Sequence, residues 1–450
     1  MRTNIMRQAR FMARGLRNLH LLAGSQKDRR MLMLLLTVML FCCGAHAGAQ
    51  EVTLDQALDL FYTNNYDILI NRYEIDKAYG DLAAAKIIPN PNISVNYTGY
   101  STGYARTDNT ANVYRLDQLI EIGGKRGYRI KSATEGLEAA KLSHKDTIRN
   151  LLIGFYTNYY SLVLDELNID FATEELKRFD RVLEIGEKRY NAGFLSLIDY
   201  TKLKLARIDL ENNLTTLSTQ YRNDLEVFNL LLGGAGNYRP LKSQVKEEFP
   251  EYREDRLLET AYGNRFDLLA LQKQMQAIEF NQKLARAQRI PDLSVGVEYE
   301  ALGTKEGLGT KLESGRGAGL SMSIPLFYRN QGEIMKRDAE YSQIKVQVEK
   351  VRRQIQTEVR QAMNNYSSSL TIFSAYRKRK GEMEGLWQKS EQAFSLGGIT
   401  VLDLLDTRKT YRDFITKYNL ALTQSALNED LMIRIYTGQI AAGAKSGATP

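Results

Sequence analysis

Two kinds of hydrophobic periodicity alternate along the chain, and each of them occurs twice. In the first half, apolar residues occupy every second position from Ile93 to Tyr97 and again, apart from Gln118, from Tyr114 to Ile122. In the second half the same alternation runs from Leu293 to Tyr299 and from Leu320 to Leu326. This spacing is typical of strands with one apolar and one polar face. The pattern therefore predicts four strands of this kind.

Helical spacing occupies the segments between these strands. Apolar residues at 148, 152, 155, 159 and 162, and at 344, 348, 351 and 355, have coiled-coil spacing. They predict two helices of roughly 65 residues, Lys125 to Tyr190 and Gln331 to Phe394, each roughly 100 Å long. Short helices at 54–64 and 256–263 are followed by helices of about 22 residues at 67–88 and 267–288, and helices of about 37 residues are expected at 196–232 and 400–436. A helix of about 22 residues and one of about 37 residues together approach the long helix in length, so we expect them to stack end to end beside it.

The chain contains an internal duplication. Asn64-Asn65-Tyr66-Asp67 corresponds to Asn264-Arg265-Phe266-Asp267 at an offset of 200, and Gly193 corresponds to Gly397 at an offset of 204. Such self-similarity indicates two copies of one structural unit. We predict the first copy at 51–235, a linker at 236–250, the second copy at 251–438 and a flexible tail at 439–450.

Each copy carries the signature of a helical hairpin tip. Gly193 and Gly397 follow the long helical segments, and Ser196 and Thr400 stand three residues further on. Gly is the usual residue of a left-handed helix stop, and Ser or Thr is a good N-cap. Both segments are therefore predicted to reverse the chain between two antiparallel helices.

Charge and composition exclude several classes of function. The first fifty residues hold eight basic side chains against Asp28, a net of +7 out of +8 for the chain. The basic excess therefore belongs to a leader, and we do not expect nucleic-acid binding. Residues 1–49 resemble a secretory signal, with an apolar run from Met31 to Phe41 that is about half of what a transmembrane anchor needs. Cys42 and Cys43 lie inside this signal, so the mature chain has no cysteine, and its one histidine is His144. This excludes disulfides and a Cys/His metal site. There is no phosphate loop, catalytic triad or ligand cluster, so we expect no enzyme, no cofactor and no bound metal.

The four strands cannot close into a barrel alone, because barrels need about eight or more strands. An open edge in lipid would leave backbone donors unsatisfied at several kcal/mol each. Three copies would supply twelve strands, whereas the interior of an eight-stranded dimer would be filled by side chains. We therefore predict an α+β fold in which a trimer forms a 12-stranded transmembrane barrel continued by a long helical barrel. A soluble β-sandwich edge is the alternative, which the aromatic residues near the strand ends disfavour, since they fit a girdle at the membrane surfaces: Tyr97, Tyr100, Tyr114, Tyr299, Phe327 and Tyr328.

The duplicated plan, the opening segment Thr53 to Leu58 and the two Gly tips resemble the TolC family of outer-membrane efflux channels. Within that family, Ile120-Glu121-Ile122-Gly123-Gly124-Lys125-Arg126 and the segment Ile324 to Gly332 are similar to the cobalt-zinc-cadmium (CzcC-like) efflux branch. The resemblance covers about 51–438. It implies a homotrimer in the outer membrane of a Gram-negative cell, with a long periplasmic part that meets a periplasmic adaptor and, through it, an inner-membrane pump.

The resemblance also implies roles for the tips. Family members narrow their periplasmic end with an acidic pair, and Asp403 and Asp406 stand at that spacing, where i, i+3 places both on one helix face. A lone pair of this kind is otherwise typical of a solvated face. Where relatives hold the closed tip with a Tyr and an Arg, this chain has Phe394 and Ile399, so those polar contacts cannot form. The residues expected to dock the adaptor are Gly193, Leu195, Ser196, Asp199, Gly397, Gly398 and Thr400.

Two other functions remain open at this point. A channel for type I protein secretion shares the architecture, and the sequence separates it poorly from efflux of metals or small molecules. A periplasmic coiled-coil scaffold or adaptor would also have heptads and hairpins, but it should lack the four alternating strands. The metal-branch motifs favour efflux, although a channel need not coordinate its cargo.

Overall fold

The computed structural model describes residues 50–101, 108–234, 236–241, 245–304 and 314–439. Within these ranges the side chains at 100, 101, 108–110, 303 and 304 are not described. The predicted signal peptide and leader, and the predicted tail beyond residue 439, lie outside the described residues.

The two halves of the chain present their elements in the same order. The first half contains β1 (Gln50–Val52), α1 (Leu54–Asn64), α2 (Tyr66–Lys86), β2 (Asn92–Ser101), β3 (Asp108–Ile120), α3 (Lys125–Asn191) and α4 (Leu197–Leu231). The second half contains β4 (Tyr238–Pro240), α5 (Glu254–Asn264), α6 (Phe266–Ala287), β5 (Leu293–Thr304), β6 (Gly315–Met322), α7 (Gln331–Leu396), α8 (Val401–Asp430) and a π-helical turn (Leu431–Tyr436). The predicted long helices are confirmed to within two residues at their ends. Within the described ranges, no helix combines the length and the apolar character needed to cross a membrane.

Four strands form one antiparallel sheet in the order β2-β3-β5-β6. The register places apolar and polar positions on opposite faces, because side chains alternate along a strand. One row across the sheet reads Ile93, Leu116, Val297 and Ala318, and the next row reads Ser94, Arg115, Glu298 and Gly317. The predicted two-faced strands are thus confirmed, and β2 and β6 are the unpaired edges of the sheet within the described chain.

Two strands end earlier than the alternation predicts, at Ile120 and Met322. The N–H of Ile122 donates to Asp292 Oδ1 (3.1 Å) and leaves the strand ladder. After β6, Pro325 has no N–H to donate, and the N–H of Leu326 instead donates to the carbonyl of Ile324 (3.0 Å). The prediction that the second alternating stretch of each half continues to Ile122 and Leu326 was therefore wrong at its end.

The long helix α3 has different partners along its two halves. Next to the sheet it packs between α2 and α6, and further away it packs against α4 and α8. The other long helix, α7, packs against α6 near the sheet and against α8 beyond. The helices therefore continue the order of the strands to which they are connected.

The shorter helices meet end to end halfway along, as the sequence predicted. Asn65, the N-cap of α2, donates from Nδ2 to the carbonyl of Leu231 at the end of α4 (3.0 Å). In the second half the corresponding residue is Arg265, whose guanidinium is buried and approaches the carbonyl of Tyr436 (3.5 Å). Charged partners on both sides hold this arginine, Asp267 and Glu358, each at 2.6 Å. A different side chain thus joins the helix ends in each half.

The last helix does not remain α-helical to Tyr436 as predicted, because its final six residues form the π-helical turn. The wider turn buries Met432 and Ile435 completely, in two different hydrophobic clusters. Met432 lies with α5 and α7, and Ile435 lies with α1 and α3. Nearby, β1 pairs in parallel with β4, so the linker predicted at 236–250 contributes a strand to this middle zone.

Candidate functional site

The first hairpin tip lies between α3 and α4. Gly193 adopts a left-handed φ of 80°, and its N–H donates to the carbonyl of Tyr190 (3.0 Å). Ser196 caps α4 by accepting from the N–H of Asp199 (3.1 Å) and donates its own hydroxyl to Asp199 Oδ2 (2.8 Å). The predicted helix stop and N-cap are both confirmed.

The second tip repeats this geometry between α7 and α8. Gly397 has a φ of 81°, and the N–H of Gly398 donates to the carbonyl of Ala393 (2.8 Å). Thr400 Oγ1 accepts from the N–H of Asp403 (3.2 Å), and Asp403 Oδ2 accepts from the N–H of Thr400 (3.2 Å) and from its hydroxyl (2.7 Å). This reciprocal pattern is a capping box.

Asp403 and Asp406 are both exposed in the first two turns of α8. The hydrogen bonds from Thr400 hold the pKa of Asp403 below its usual value, so this carboxylate stays charged. Asp403 therefore has a structural partner that the sequence analysis did not assign to it, although Thr400 three residues before an acid is the sequence signal of a capping box. Asp406 lies one turn further along the same helix.

Most of the predicted docking residues are exposed at the tips, but Leu195 and Asp199 are half-buried. Leu195 is half-buried and packs into the hydrophobic cluster beneath the tip, which includes Phe179, Trp387 and Phe394. The sequence analysis missed the apolar side chains that do face solvent there, although each directly neighbours a tip residue. They are Phe194 (77% exposed), Leu197, Ile198, Leu396 and Leu402.

One side chain ties the two tips together. Arg189 of α3 donates from Nη1 to the carbonyl of Phe394 near the end of α7 (2.7 Å), and its guanidinium lies 5.1 Å from the centre of the Phe394 ring. The carbonyl ends of a helix carry partial negative charge, so a cation is favoured there. At position 394 the resemblance implied a polar side-chain contact; here Phe394 instead accepts a hydrogen bond through its backbone carbonyl.

Two acidic groups are buried where the long helices pack together, Asp165 between α3 and α4 and Glu175 between α3 and α8. Burial and the nearby Asp224 raise the pKa of Asp165 to about 7, and Asp165 Oδ2 has no hydrogen-bond partner in the described structure. Closer to the tips, Glu175 faces Arg408 at 4.0 Å, and burial raises the pKa of the Glu175 carboxyl. Both oxygens of Glu175 lack hydrogen bonds among the described residues. Glu175 therefore makes the contact between the two hairpins sensitive to charge, whereas Asp165 faces Asp224 within the first hairpin.

The apolar face of the sheet is exposed, and aromatic residues lie towards both of its ends. Tyr114 and Tyr299 are directly paired across β3 and β5, with ring centres 6.5 Å apart. Tyr97 lies two rows further from the helices, while Phe327 and Tyr328 are exposed beyond the opposite end of β6. Six residues separate Tyr299 from the last row of the sheet at Leu293, a distance of about 20 Å. The side chain of Tyr100, also predicted for the girdle, lies outside the described part of the structure.

The opposite face of the sheet carries charged residues in its two central strands. Arg115 Nε donates to both oxygens of Asp117 (2.9 and 2.8 Å), and Arg115 Nη1 lies 4.0 Å from Glu298. At the same level the edge strand β6 presents Gly315, Gly317 and Gly319. No group of three or more His, Cys, Asp or Glu residues suited to a metal ion occurs within the described ranges.

A protein-family model described as outer membrane efflux protein matches residues 57–234 and 257–429. The chain belongs to this family. The two matched segments correspond to the two halves of the fold, each with its sheet strands, long helix and tip. The family resemblance and the outer-membrane location predicted from the sequence are confirmed, and a periplasmic scaffold is excluded.

Individual relatives of this outer membrane efflux protein agree with the family. The cobalt-zinc-cadmium resistance protein CzcC of Cupriavidus metallidurans is 24% identical over 81% of this chain and 84% of its own length. The outer membrane protein TolC of Escherichia coli is 20% identical, over 87% of this chain and 86% of its own. Among solved structures, CusC has a TM-score of 0.72 at 16% identity, covering 88% of this chain and 95% of CusC. VceC of Vibrio cholerae has a TM-score of 0.68 at 16% identity, covering 86% and 96%. The two solved structures share the fold described above.

Proposed function

We propose that this outer membrane efflux protein forms a homotrimeric exit duct, whose three sheets join into a 12-stranded transmembrane barrel. The sheet carries this proposal, because it combines an exposed apolar face with two unpaired edges, β2 and β6. Edge strands present rows of unpaired N–H and C=O groups, which lipid cannot satisfy. Pairing β6 of one protomer with β2 of the next removes every edge. The exposed tyrosines and Phe327 then form the aromatic girdles at the two membrane surfaces.

The long helices continue this duct into the periplasm, and the tips form its far end. We assign the tips as the docking surface for a periplasmic adaptor that connects the duct to an energised inner-membrane pump. The exposed apolar residues at the tips support this assignment, since exposed apolar groups clustered at one end are typical of a protein interface. Phe194 and Ile198 add to the docking residues expected from the sequence, whereas Leu195 supports the tip from within.

At the same end we assign Asp403 and Asp406 to the periplasmic aperture. Threefold symmetry would convert each into a ring of three carboxylates, which attracts cations and repels anions. Divalent metal cations are accordingly the proposed cargo. The similarity to a cobalt-zinc-cadmium resistance protein supports this cargo, as does the negative charge that Asp403 retains.

Planar-bilayer recording of the purified mature trimer tests the aperture. Asp403→Ala with Asp406→Ala should raise conductance and lower cation selectivity, because both rings lose their charge. Asp199→Ala is the matched control: it occupies the position of Asp403 in the first tip and makes the same kind of capping contact. If the double variant behaves like this control, the aperture assignment is wrong.

The assembly itself is tested by the mass of the protein in detergent and by cross-linking between protomers. We expect trimers. A mature chain that stays monomeric and dissolved without detergent would contradict the proposed duct.

A further inference from the structure

The polar face of the sheet has one cation among its charged residues in the described structure. Alternation and register assign Arg115, Asp117, Glu298 and Glu300 to this face. Arg115 and Glu298 are directly paired across β3 and β5, and Asp117 stands two residues along β3 from Arg115. Three acids therefore share this face with a single guanidinium.

Arg115 contacts two of these acids at once. Its Nε donates to both oxygens of Asp117 at 2.9 and 2.8 Å, and its Nη1 lies 4.0 Å from Glu298 Oε2. Asp117 and Glu298 are diagonal neighbours on adjacent strands, a relation that places the two residues about 7–8 Å apart, and their Cβ atoms somewhat closer. Two carboxylates at that separation could bind one divalent cation between them, since hard cations prefer oxygen ligands. Arg115 occupies the space between them.

Two glycines keep this group flat against the sheet. A Cβ added at Gly296 would overlap Asp117 Oδ1 and lie 3.3 Å from Arg115 Nε. A Cβ added at Gly317 would lie 2.7 Å from Glu298 Oε1. At Gly319, in contrast, the nearest atom, Arg115 Nη2, would be in ordinary contact at 3.9 Å. Asp117 and Glu298 thus lie over the backbone of Gly296 and Gly317 instead of pointing away from the sheet.

We propose that Arg115 is a selectivity-determining residue of the duct, which stops Asp117 and Glu298 from capturing the divalent cations that pass them. This inference rests on the proposed function, in which the polar face of the sheet lines the pore. Conduction requires that a site attract an ion and still release it. The acidic face attracts cations, and the Arg115 guanidinium prevents Asp117 and Glu298 from binding them too tightly to release them.

The test compares Arg115→Gln with Arg316→Gln in planar bilayers. Arg316 lies in β6 opposite Tyr299, on the apolar face of the same sheet, so its loss changes the same charge outside the pore. We expect Arg115→Gln to shift the reversal potential in a KCl gradient towards cation selectivity. Zn²⁺ added on the extracellular side should block it at about a fivefold lower concentration than wild type, the effect of one lost charge near the pore wall. Adding Asp117→Asn to Arg115→Gln should abolish the enhanced block.

A second pair of variants leaves every charge in place. Gly296→Ala forces Asp117 away from Arg115 and should also enhance the Zn²⁺ block, whereas Gly319→Ala should not. If Arg115→Gln fails to assemble, the comparison of Gly296→Ala with Gly319→Ala provides the test. The inference is overturned if wild type conducts and the variants at 115 and 296 respond to Zn²⁺ as wild type and the controls do. A wild-type trimer without any conductance would instead refute the proposed function itself.

Discussion

The tie between the two tips leads to a sharp prediction. Arg189→Met keeps a long apolar side chain but removes the hydrogen bond to the Phe394 carbonyl (2.7 Å) and the charge next to the end of α7. Among the described contacts, Arg189 is the one residue of the first hairpin that donates to this carbonyl. The other hydrogen bond to it comes from the N–H of Gly397 (3.1 Å), within the second tip. The second tip should therefore separate from the first more easily.

The size of the effect follows from the contact. A hydrogen bond to a charged group contributes about 1.5–3 kcal/mol, and a cation over an aromatic ring about 0.5–1 kcal/mol at a partly exposed site. These contributions overlap, so we take about 2 kcal/mol per protomer. At about 1.4 kcal/mol per tenfold, the balance between attached and separated tips should shift by about 30-fold.

Two measurements report this change. Trp387 is the single tryptophan and is buried in the cluster beneath the tips, so its fluorescence on heating reports their unfolding. We expect a lower melting temperature by this probe. In planar bilayers we expect higher conductance, since a loosened second tip widens the proposed aperture.

Lys188→Met is the matched control for this prediction. Lys188 precedes Arg189 on α3, is exposed, and pairs within the helix with Glu184 (2.7 Å). It loses the same charge without touching the second hairpin. Equal melting and equal conductance for Arg189→Met and Lys188→Met would refute the reasoning.

Two further predictions concern the helices above the tips. The pKa of Asp165 in the folded chain is about 7 against an ordinary value of 3.8, because of burial and then Asp224. The folded state therefore retains a proton that the unfolded chain releases, and the stability this gives is lost as pH rises from about 4 through 7. Asp165→Asn should raise the melting temperature at pH 8 but not below pH 4. A lower melting temperature at both pH values would contradict the raised pKa of Asp165. At the junction of α4 with α1, a Cβ on Gly233 (φ 93°) would lie 2.7 Å from the carbonyl oxygen of Asn64, whereas one on Gly234 (φ 65°) would meet nothing within 4 Å. Both Ala substitutions should lose about 1–2 kcal/mol to the left-handed backbone, and circular dichroism on heating should show a larger loss for Gly233→Ala; equal losses would remove the steric argument.

Much of the architecture follows from signals that act over a few residues. Alternation defines the two faces of the sheet, heptad spacing defines α3 and α7, and Gly397 with Thr400 defines where one helix stops and the next begins. Helix length also predicted the end-to-end stacking of the shorter helices, which the hydrogen bond of Asn65 to Leu231 confirms. Each of these depends on backbone geometry within one or two turns or strand steps, which is why the local sequence was sufficient.

The candidate site was less predictable for the opposite reason. The resemblance implied that Leu195 docks the adaptor, but Leu195 is half-buried while Phe194 is exposed, because Leu195 packs into the cluster that contains Trp387. The family resemblance, and not the spacing alone, implied an aperture role for Asp403, whereas its capping contact with Thr400 appeared only in the folded tip. Asp165 gave no sign of its raised pKa, since its environment comes from α4.

The sequence by itself determined the repeated order of elements, the two faces of the strands and the two tips, because periodicity and turn chemistry are written in neighbouring residues. Only the tertiary structure decided that Arg189 meets the carbonyl of Phe394, that the π-helical turn sends Met432 and Ile435 into separate clusters, and that Arg115 lies between two acids. These contacts join residues far apart in the chain. Their partners are selected by how whole helices and strands pack, and local sequence does not encode that register.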